Sequence, residues 1–325
     1  MRILRSVPIA AEAPIALTIG NFDGVHLGHQ AMLSRLRASA RDEGLPACAM
    51  TFEPHPREFF APDQAPSRLT SVREKLELLA CYGVERSYVC RFSYPFAQIS
   101  AEDFIERVLV RGFGVRRLLV GDDFRFGARR AGDLALLKQH AVRLGYTVEA
   151  MSSVTVEGER VSSTRVRKAL EGGDLAFAAR LLGRPYSIAG RVVRGEGLGR
   201  KLGFPTANVQ MKHNRAPLGG IFAVEVSGAG DSPVRGVASL GVRPTVQQQG
   251  EAVLEVYLLD FAGDLYGRHV HVDFLRKFRD EEKFADLAAL TQQITADVAN
   301  ARAYFAQRDV SPMHASGEAA AQVRR

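Results

Sequence analysis

The chain has 325 residues, 46% of them hydrophobic and 24% charged, a globular balance with room for two domains of roughly 100–200 residues each. Cys48, Cys81 and Cys90 are too few for a disulfide framework and lack C-x-x-C spacing, which excludes a stapled secreted scaffold and a zinc or redox site, and fits a reducing, cytoplasmic setting. No run approaches the ~18 apolar residues of a membrane span, and the short apolar run at the amino terminus is broken by Pro8, unlike a secretory leader. A net charge of +7 and a pI near 9.5 suit either nucleic acid or phosphorylated small molecules. The arginines are dispersed, not gathered into a basic tail.

In chain order, the first half alternates strand and helix patterns. Residues 15–19 form an apolar run ending at Gly20. Leu33, Leu36 and Ala40 then recur at helical spacing up to a stop at Gly44. Strands are expected at 47–52, 87–92, 118–120 and 147–151. The helices between them open with a Ser71/Glu74 capping box, at Ser100 with Asp103, and at Asp133. This alternation predicts a doubly wound parallel sheet, with ligands beyond the carboxyl ends of its strands. A helical stretch covers about 164–182, and the pattern then changes. Short strands at 187–193, 221–227, 234–240, 253–259 and 269–275, separated by Gly, Pro and Asp, predict an antiparallel barrel or sandwich. A closing helix carries Phe284, Leu287, Leu290, Ile294, Val298 and Phe305 on one face. The expected division is 1–184, 185–310 and a frayed tail at 311–325.

Two constellations carry chemistry. G-N-F-D-G-V-H-L-G-H, residues 20–29, follows a strand and opens a helix. Gly20 and Gly24 permit a tight turn around Asn21, Phe22 and Asp23, and the helix amino terminus offers unpaired N–H groups to an anion. His26 and His29 share a helical face and can donate to phosphate oxygens as charge moves onto a leaving pyrophosphate. G-D-D-F-R-F-G, residues 121–127, sets Asp123 and Arg125 beside the flat apolar rings of Phe124 and Phe126. V-S-S-T-R-V-R, residues 161–167, opens a helix with Ser163, Thr164, Arg165 and Arg167, a set suited to a triphosphate. In T-F-E-P-H-P, residues 51–56, His55 reads equally well as part of a rigid turn.

The second constellation lies in the β half. Gly195, Gly197 and Gly199 alternate in R-G-E-G-L-G-R-K, a loop able to wrap phosphates though not a Walker pattern. Thr206 and Asn208 lie two apart, on one face if extended, and are hard oxygen ligands suited to Mg²⁺ bound with ATP. Glu255 interrupts an apolar strand pattern, where a carboxylate faces either solvent or a site. His269 and His271 read as barrel surface.

These motifs, in this order, resemble the prokaryotic bifunctional riboflavin kinase/FAD synthetases over about residues 15–307. The resemblance implies a Rossmann-like FMN adenylyltransferase domain of the nucleotidyltransferase superfamily, then an antiparallel riboflavin-kinase β-barrel with a C-terminal helix. Riboflavin is expected to become FMN, and FMN to become FAD and pyrophosphate, each step using ATP. His26, His29 and Arg165 are expected to act at the triphosphate, aided by the 20–24 turn, Ser163 and Thr164. Asp123, Phe124 and Phe126 are expected at the flavin. In the kinase half, L-E-V-Y-L-L-D-F implies that Glu255 is the base. P-T-A-N implies Thr206 and Asn208 as metal and phosphate ligands, and F-R-D-E-E-K-F places Arg279 near the flavin. Ser239 stands where the family pattern N-I-G-x-R-P-T has asparagine. No K-M-S-K-S-like loop points to the aminoacyl-tRNA synthetases. The partners expected are small molecules and possible self-association, with no nucleic acid or membrane. The rival readings are a monofunctional adenylyltransferase with a flavin-binding barrel, and a basic RNA-binding protein carrying relic motifs.

Overall fold

A computed structural model describes residues 1–195, 197–212, 215–242 and 252–310. The expected tail at 311–325 and Arg243, Pro244 and Thr245 of the L-G-V-R-P-T motif lie outside the described residues. The chain divides into two compact units. Met1–Pro66 and Lys75–Ser162 form the first, and Ser67–Glu74 with the residues from Ser163 onward form the second.

In chain order the elements are β1 (Arg2–Leu4), β2 (Ile15–Ile19), α1 (Leu27–Asp42), β3 (Ala47–Glu53), α2 (Pro56–Phe60), α3 (Val72–Cys81), β4 (Arg86–Arg91), α4 (Tyr94–Ala97), α5 (Ala101–Asp103), β5 (Val115–Gly121), α6 (Leu134–Leu144), β6 (Thr147–Met151), β7 (Thr155–Val156) and β8 (Glu159–Arg160). The second half continues with α7 (Ser163–Glu171), α8 (Leu175–Leu182), β9 (Tyr186–Val193), α9 (Leu198–Lys201), β10 (Thr206–Gln210), β11 (Gly220–Ser227), β12 (Val234–Val242), β13 (Ala252–Leu258), β14 (His269–Arg279) and α10 (Leu287–Val310).

The first unit is built on a parallel sheet of order β1-β4-β3-β2-β5-β6. All five residues of β2 are buried, as expected of a central strand covered on both faces. Strand order reverses on either side of β2, so the carboxyl ends of β2 and β5 flank the switch point where such sheets bind ligands. Gly20 follows the first of these strands and Gly121 ends the second. The capping box is present as expected: Ser71 N–H donates to Glu74 Oε2 at 2.6 Å, and Glu74 N–H to Ser71 Oγ at 3.3 Å. Asp133 caps α6, accepting from Leu136 N–H at 3.0 Å. Ser100 opens α5, but beyond Asp103 the helix passes into a π-type segment over residues 104–112. Burial pushes the Cys48 and Cys90 thiols up to about 12, which keeps them protonated and unreactive at neutral pH.

In the second unit, six antiparallel strands close a barrel of order β10-β13-β12-β11-β14-β9. Alternation sorts its side chains. Phe222, Val224, Ala238, Leu240, Leu254, Val256, Val272 and Phe274 are buried on one parity, filling the interior. The other parity faces out, and there Ile221, Ala223 and Val237 pack against Ala301 and Phe305 of α10. Three expectations are corrected. The helical stretch at 164–182 is two helices, because the chain stops at Gly172 and Gly173 and restarts with Asp174 capping Phe177 N–H at 2.8 Å. Phe284 precedes α10 and lies under the Arg279 guanidinium at 5.8 Å. Leu287 is 57% exposed, so the buried stripe of α10 is shorter than its apolar pattern suggested.

Candidate active sites

The turn after β2 is held in a strained form. Phe22 and Val25 have φ of 49° and 40°, a region costly for a β-branched residue. Both side chains are fully buried, packed with Leu33, Ala49 and Leu79. Gln30 Nε2 donates to the Val25 carbonyl at 2.9 Å, and Thr51 Oγ1 donates to the Asn21 carbonyl at 3.2 Å. Asp23 is buried and Asn21 exposed. The turn is thus clamped from beneath, with Asn21 its exposed residue.

His26 caps α1, its Nδ1 accepting from His29 N–H at 3.4 Å. That contact leaves the proton of the neutral ring on Nε2, a donor. The two imidazoles stack with centroids 3.7 Å apart and planes 16° apart. Gly28 permits this, since a Cβ there would stand 3.2 Å from His26 Nδ1. Burial first, then His26 and the Lys75 ammonium, hold His29 well below the usual imidazole range. Its Nδ1 is buried without a hydrogen-bond partner, an orphan that calls for a ligand or an ion. Lys75 is buried, with Nζ 3.4 Å from Thr51 Oγ1. Nothing in its spacing on α3 distinguished it from a solvated lysine, so sequence reasoning missed it.

The other expected groups divide. Phe124 and Phe126 stack with centroids 5.6 Å and planes 18° apart. Phe126 is buried against Phe104, and Phe124 is the more accessible of the two rings. Asp123 pairs with Arg160, and Arg125 with Asp133 at 2.9 Å. At the ends of β3 and β4, Phe52, Phe59, Phe60, Phe92 and Phe96 form a ring cluster, mostly edge-to-face, with Phe60 64% exposed. The sequence contains these rings but not their convergence from separate elements. His55 caps α2, accepting from Arg57 N–H at 3.1 Å, which assigns it to the turn.

Within the second unit, α7 carries Ser163, an exposed Thr164, and Arg165, whose guanidinium lies 4.9 Å from the Phe177 ring centroid. Arg167 turns inward and donates Nε to the Ser67 carbonyl at 2.5 Å. That buried tie gives it a structural task.

On the barrel, β10 is extended, so Thr206 and Asn208 do share a face. Asn208 lies opposite Glu255 on β13, and Glu255 lies opposite Ser239 on β12. Directly opposed residues point the same way, which puts Thr206, Asn208, Ser239 and Glu255 together on the outer surface. Thr206 Oγ1 donates to Glu255 Oε2 at 3.2 Å. Gly195 and Gly199 bring the preceding loop onto these side chains. A Cβ on Gly195 would lie 2.4 Å from Asn208 Nδ2, and one on Gly199 would lie 2.5 Å from the Phe204 carbonyl and 3.3 Å from Thr206 Oγ1. Gly197 has φ of +70° with open space around it, so it serves the turn alone. Arg279 is bound by Asp297 of α10 through Nε–Oδ1 at 3.1 Å and Nη2–Oδ2 at 2.7 Å, a fork that fixes its plane. His269 and His271 are half-buried, with ring centroids 5.4 Å apart. No group of three or more His, Cys, Asp or Glu able to hold a metal occurs among the described residues.

Comparison with known proteins also finds two families in tandem. A family described as FAD synthetase matches residues 9–165, and one described as riboflavin kinase matches residues 182–305. A bifunctional riboflavin kinase/FMN adenylyltransferase of Pseudomonas fluorescens is 53% identical over 89% of this chain and 92% of its own. The protein of that name from Escherichia coli K12 is 48% identical over 94% and 98% respectively. A crystal structure titled as a macrolide-efflux protein from Streptococcus pneumoniae aligns with a TM-score of 0.78 at 29% identity, covering 93% of this chain and 99% of that one. No helix among the described residues is long and apolar enough to cross a membrane. With both family models matched in tandem and close relatives spanning nearly the whole chain, this protein belongs to the bifunctional riboflavin kinase/FMN adenylyltransferase family.

Proposed function

We propose that the two reactions of this family use separate residues of this chain. In this reading the turn after β2 with His26 and His29 serves transfer of AMP from ATP to FMN, and the Thr206–Asn208–Glu255 face serves phosphorylation of riboflavin. The observation that carries it is the chemical contrast between the two places. One is a clamped turn at a helix amino terminus with two stacked imidazoles. The other is a carboxylate joined to two oxygen side chains.

In the adenylyl step the FMN phosphate is already an anionic nucleophile and needs no base. His26 Nε2–H and the amino-terminal N–H groups of α1 are placed to stabilise charge on departing pyrophosphate. His29, kept neutral, stacks His26 in place and can offer its own N–H. Ser163, Thr164 and Arg165 serve the triphosphate in this account, and Phe124, Asp123 and the aromatic group at the ends of β3 and β4 serve the flavin.

In the kinase step a hydroxyl must lose a proton as it attacks. Glu255 is the base, oriented by the Thr206 hydroxyl. Thr206 and Asn208 fit a Mg²⁺ that keeps most of its ligands from water and phosphate, since they offer hard oxygens and a close cradle against Gly195. When bound, the metal supplies charge neutralisation at the transferring phosphoryl group. Gly195, Gly197 and Gly199 let the backbone follow the phosphates. Arg279, with its orientation set by Asp297, presents a planar cation to the flavin. We place the protein in the cytoplasm, where its substrates are. A chromatographic time course of riboflavin with ATP and Mg²⁺ tests the reading. FMN should rise before FAD, and omission of Mg²⁺ should stop both; FAD without intermediate FMN would contradict it.

A further inference from the structure

One carboxylate on the kinase face has no part in the account above. Glu281 lies just beyond β14, yet its side chain reaches back across β12. Ser239 Oγ donates to Glu281 Oε1 at 2.8 Å. A Cβ on Gly241 would lie 1.7 Å from Glu281 Oε2, so the carboxylate occupies space that any other residue at position 241 would fill. Gly241 and Ser239 are two apart on β12 and face the same way. Two neighbours on one strand therefore accommodate the Glu281 carboxylate, Ser239 by a hydrogen bond and Gly241 by leaving it space.

The chemical consequence falls on Ser239. A serine hydroxyl has one proton, and here it is spent on Glu281, so Ser239 Oγ can only accept further hydrogen bonds. Ser239 is the residue directly opposite Glu255, and such pairs have Cβ atoms ~4.5–5.5 Å apart. The face therefore offers two acceptors side by side, one able to take a proton and one fixed as a neutral acceptor. Neighbouring hydroxyls of a polyol chain match that arrangement, and the acceptor of the kinase reaction carries such a chain.

We infer that Ser239, fixed as an acceptor by Glu281, positions the polyol chain of the flavin by accepting a hydrogen bond from the hydroxyl adjacent to the one phosphorylated. This rests on the reading of Glu255 as the kinase base. Ser239 meets the substrate, and Glu281 acts through Ser239 as a positioning residue.

The test uses the full chain with Ser239→Ala, Glu281→Ala, Glu281→Gln, Gly241→Ala and the Glu281→Ala/Gly241→Ala double variant. FMN formation is assayed with riboflavin and with an analogue whose ribityl chain has hydrogen in place of the hydroxyl next to the terminal one. Ser239→Ala, Glu281→Ala and Gly241→Ala should each raise the riboflavin KM about two- to tenfold, the range of one net hydrogen bond. The KM for ATP should not move. Glu281→Gln keeps an acceptor for Ser239 and should restore the wild-type KM, and the double variant should be no worse than either single one. The analogue should be indifferent to all of these changes. An unchanged riboflavin KM in Ser239→Ala and Glu281→Ala, or equal losses with the analogue, would overturn the inference. Glu255→Gln run in parallel separates the two claims. If it retains full FMN formation, the kinase reading itself falls; if it loses FMN formation while Glu281→Ala is silent, only this inference falls.

Discussion

Gly195→Ala should disable the kinase without unfolding it. The added methyl would stand 2.4 Å from Asn208 Nδ2 and 2.5 Å from its Cγ, about 1 Å inside ordinary contact distance. The obstacle is the end of a flexible side chain and not backbone, so Asn208 can swing away and the fold should lose little. Gly195 has no left-handed φ, so alanine brings no backbone strain. The damage lies in where the Asn208 amide ends up. A misplacement of about 1 Å at a substrate-positioning group can cost on the order of 10²-fold in rate. FMN formation should fall by roughly that factor, with the loss matching that of Asn208→Ala. FAD synthesis from supplied FMN should remain at the wild-type rate and the Tm within about 2 °C, as for a cost well under 1 kcal/mol. Gly197→Ala is the informative contrast. It meets no neighbour but must hold φ of +70°, at about 1–2 kcal/mol, so it should loosen the loop without displacing Asn208. Wild-type FMN formation in Gly195→Ala would refute the view that this glycine exists to admit Asn208.

Three further outcomes are expected. His29→Ala should lower FAD formation from FMN by on the order of 10²–10³ while FMN formation from riboflavin survives, read by chromatography of both products. His29 also predicts a pH dependence of stability. Its folded pKa lies below the unfolded value of ~6.5, so the unfolded chain gains a proton first, and stability declines as pH falls below about 6.5, by at most about 1.4 kcal/mol per pH unit. Urea unfolding at pH 7.5 and 5.5 should show a smaller acid loss in His29→Gln than in wild type. We further propose that the barrel folds alone: fragments starting at residue 163 and at residue 182, both ending at 310, should each make FMN and no FAD. The longer one should melt higher, because α8 buries Leu175, Phe177, Leu181 and Leu182.

Much of this architecture could be read from local pattern. The β2 run with its glycine stop, the Ser71/Glu74 box and the alternation in β11 to β13 each follow from interactions within a few residues. P-T-A-N was legible as a face because period two is the only requirement for Thr206 and Asn208 to align. Features set by distant partners were not legible. Strand β1 has three residues and exists through parallel pairing with β4, which leaves no period to detect. The pattern around Phe124 and Phe126 could not show that Phe104 of a separate helix packs against Phe126. No local pattern singles out Lys75 on its helix or the Glu281 side chain after its strand. Only the fold shows one beneath the turn after β2 and the other lying against Gly241. Glycine roles were partly visible: the loop 195–199 was identified, but a sequence cannot show that Gly195 and Gly199 yield to Asn208 and Thr206 while Gly197 serves the turn.

The most direct measurement of the central claim, two chemically distinct sites on one chain, is the Glu255→Gln variant assayed from both starting flavins. Glutamine keeps the size of the side chain and can still accept from Thr206 Oγ1, but it cannot take the proton of a hydroxyl. FMN formation from riboflavin should fall about 10²–10⁴-fold, mainly in kcat. FAD formation from riboflavin should fall with it, while FAD formation from supplied FMN should match wild type. Equal losses from both starting flavins, or an unimpaired kinase, would contradict the account.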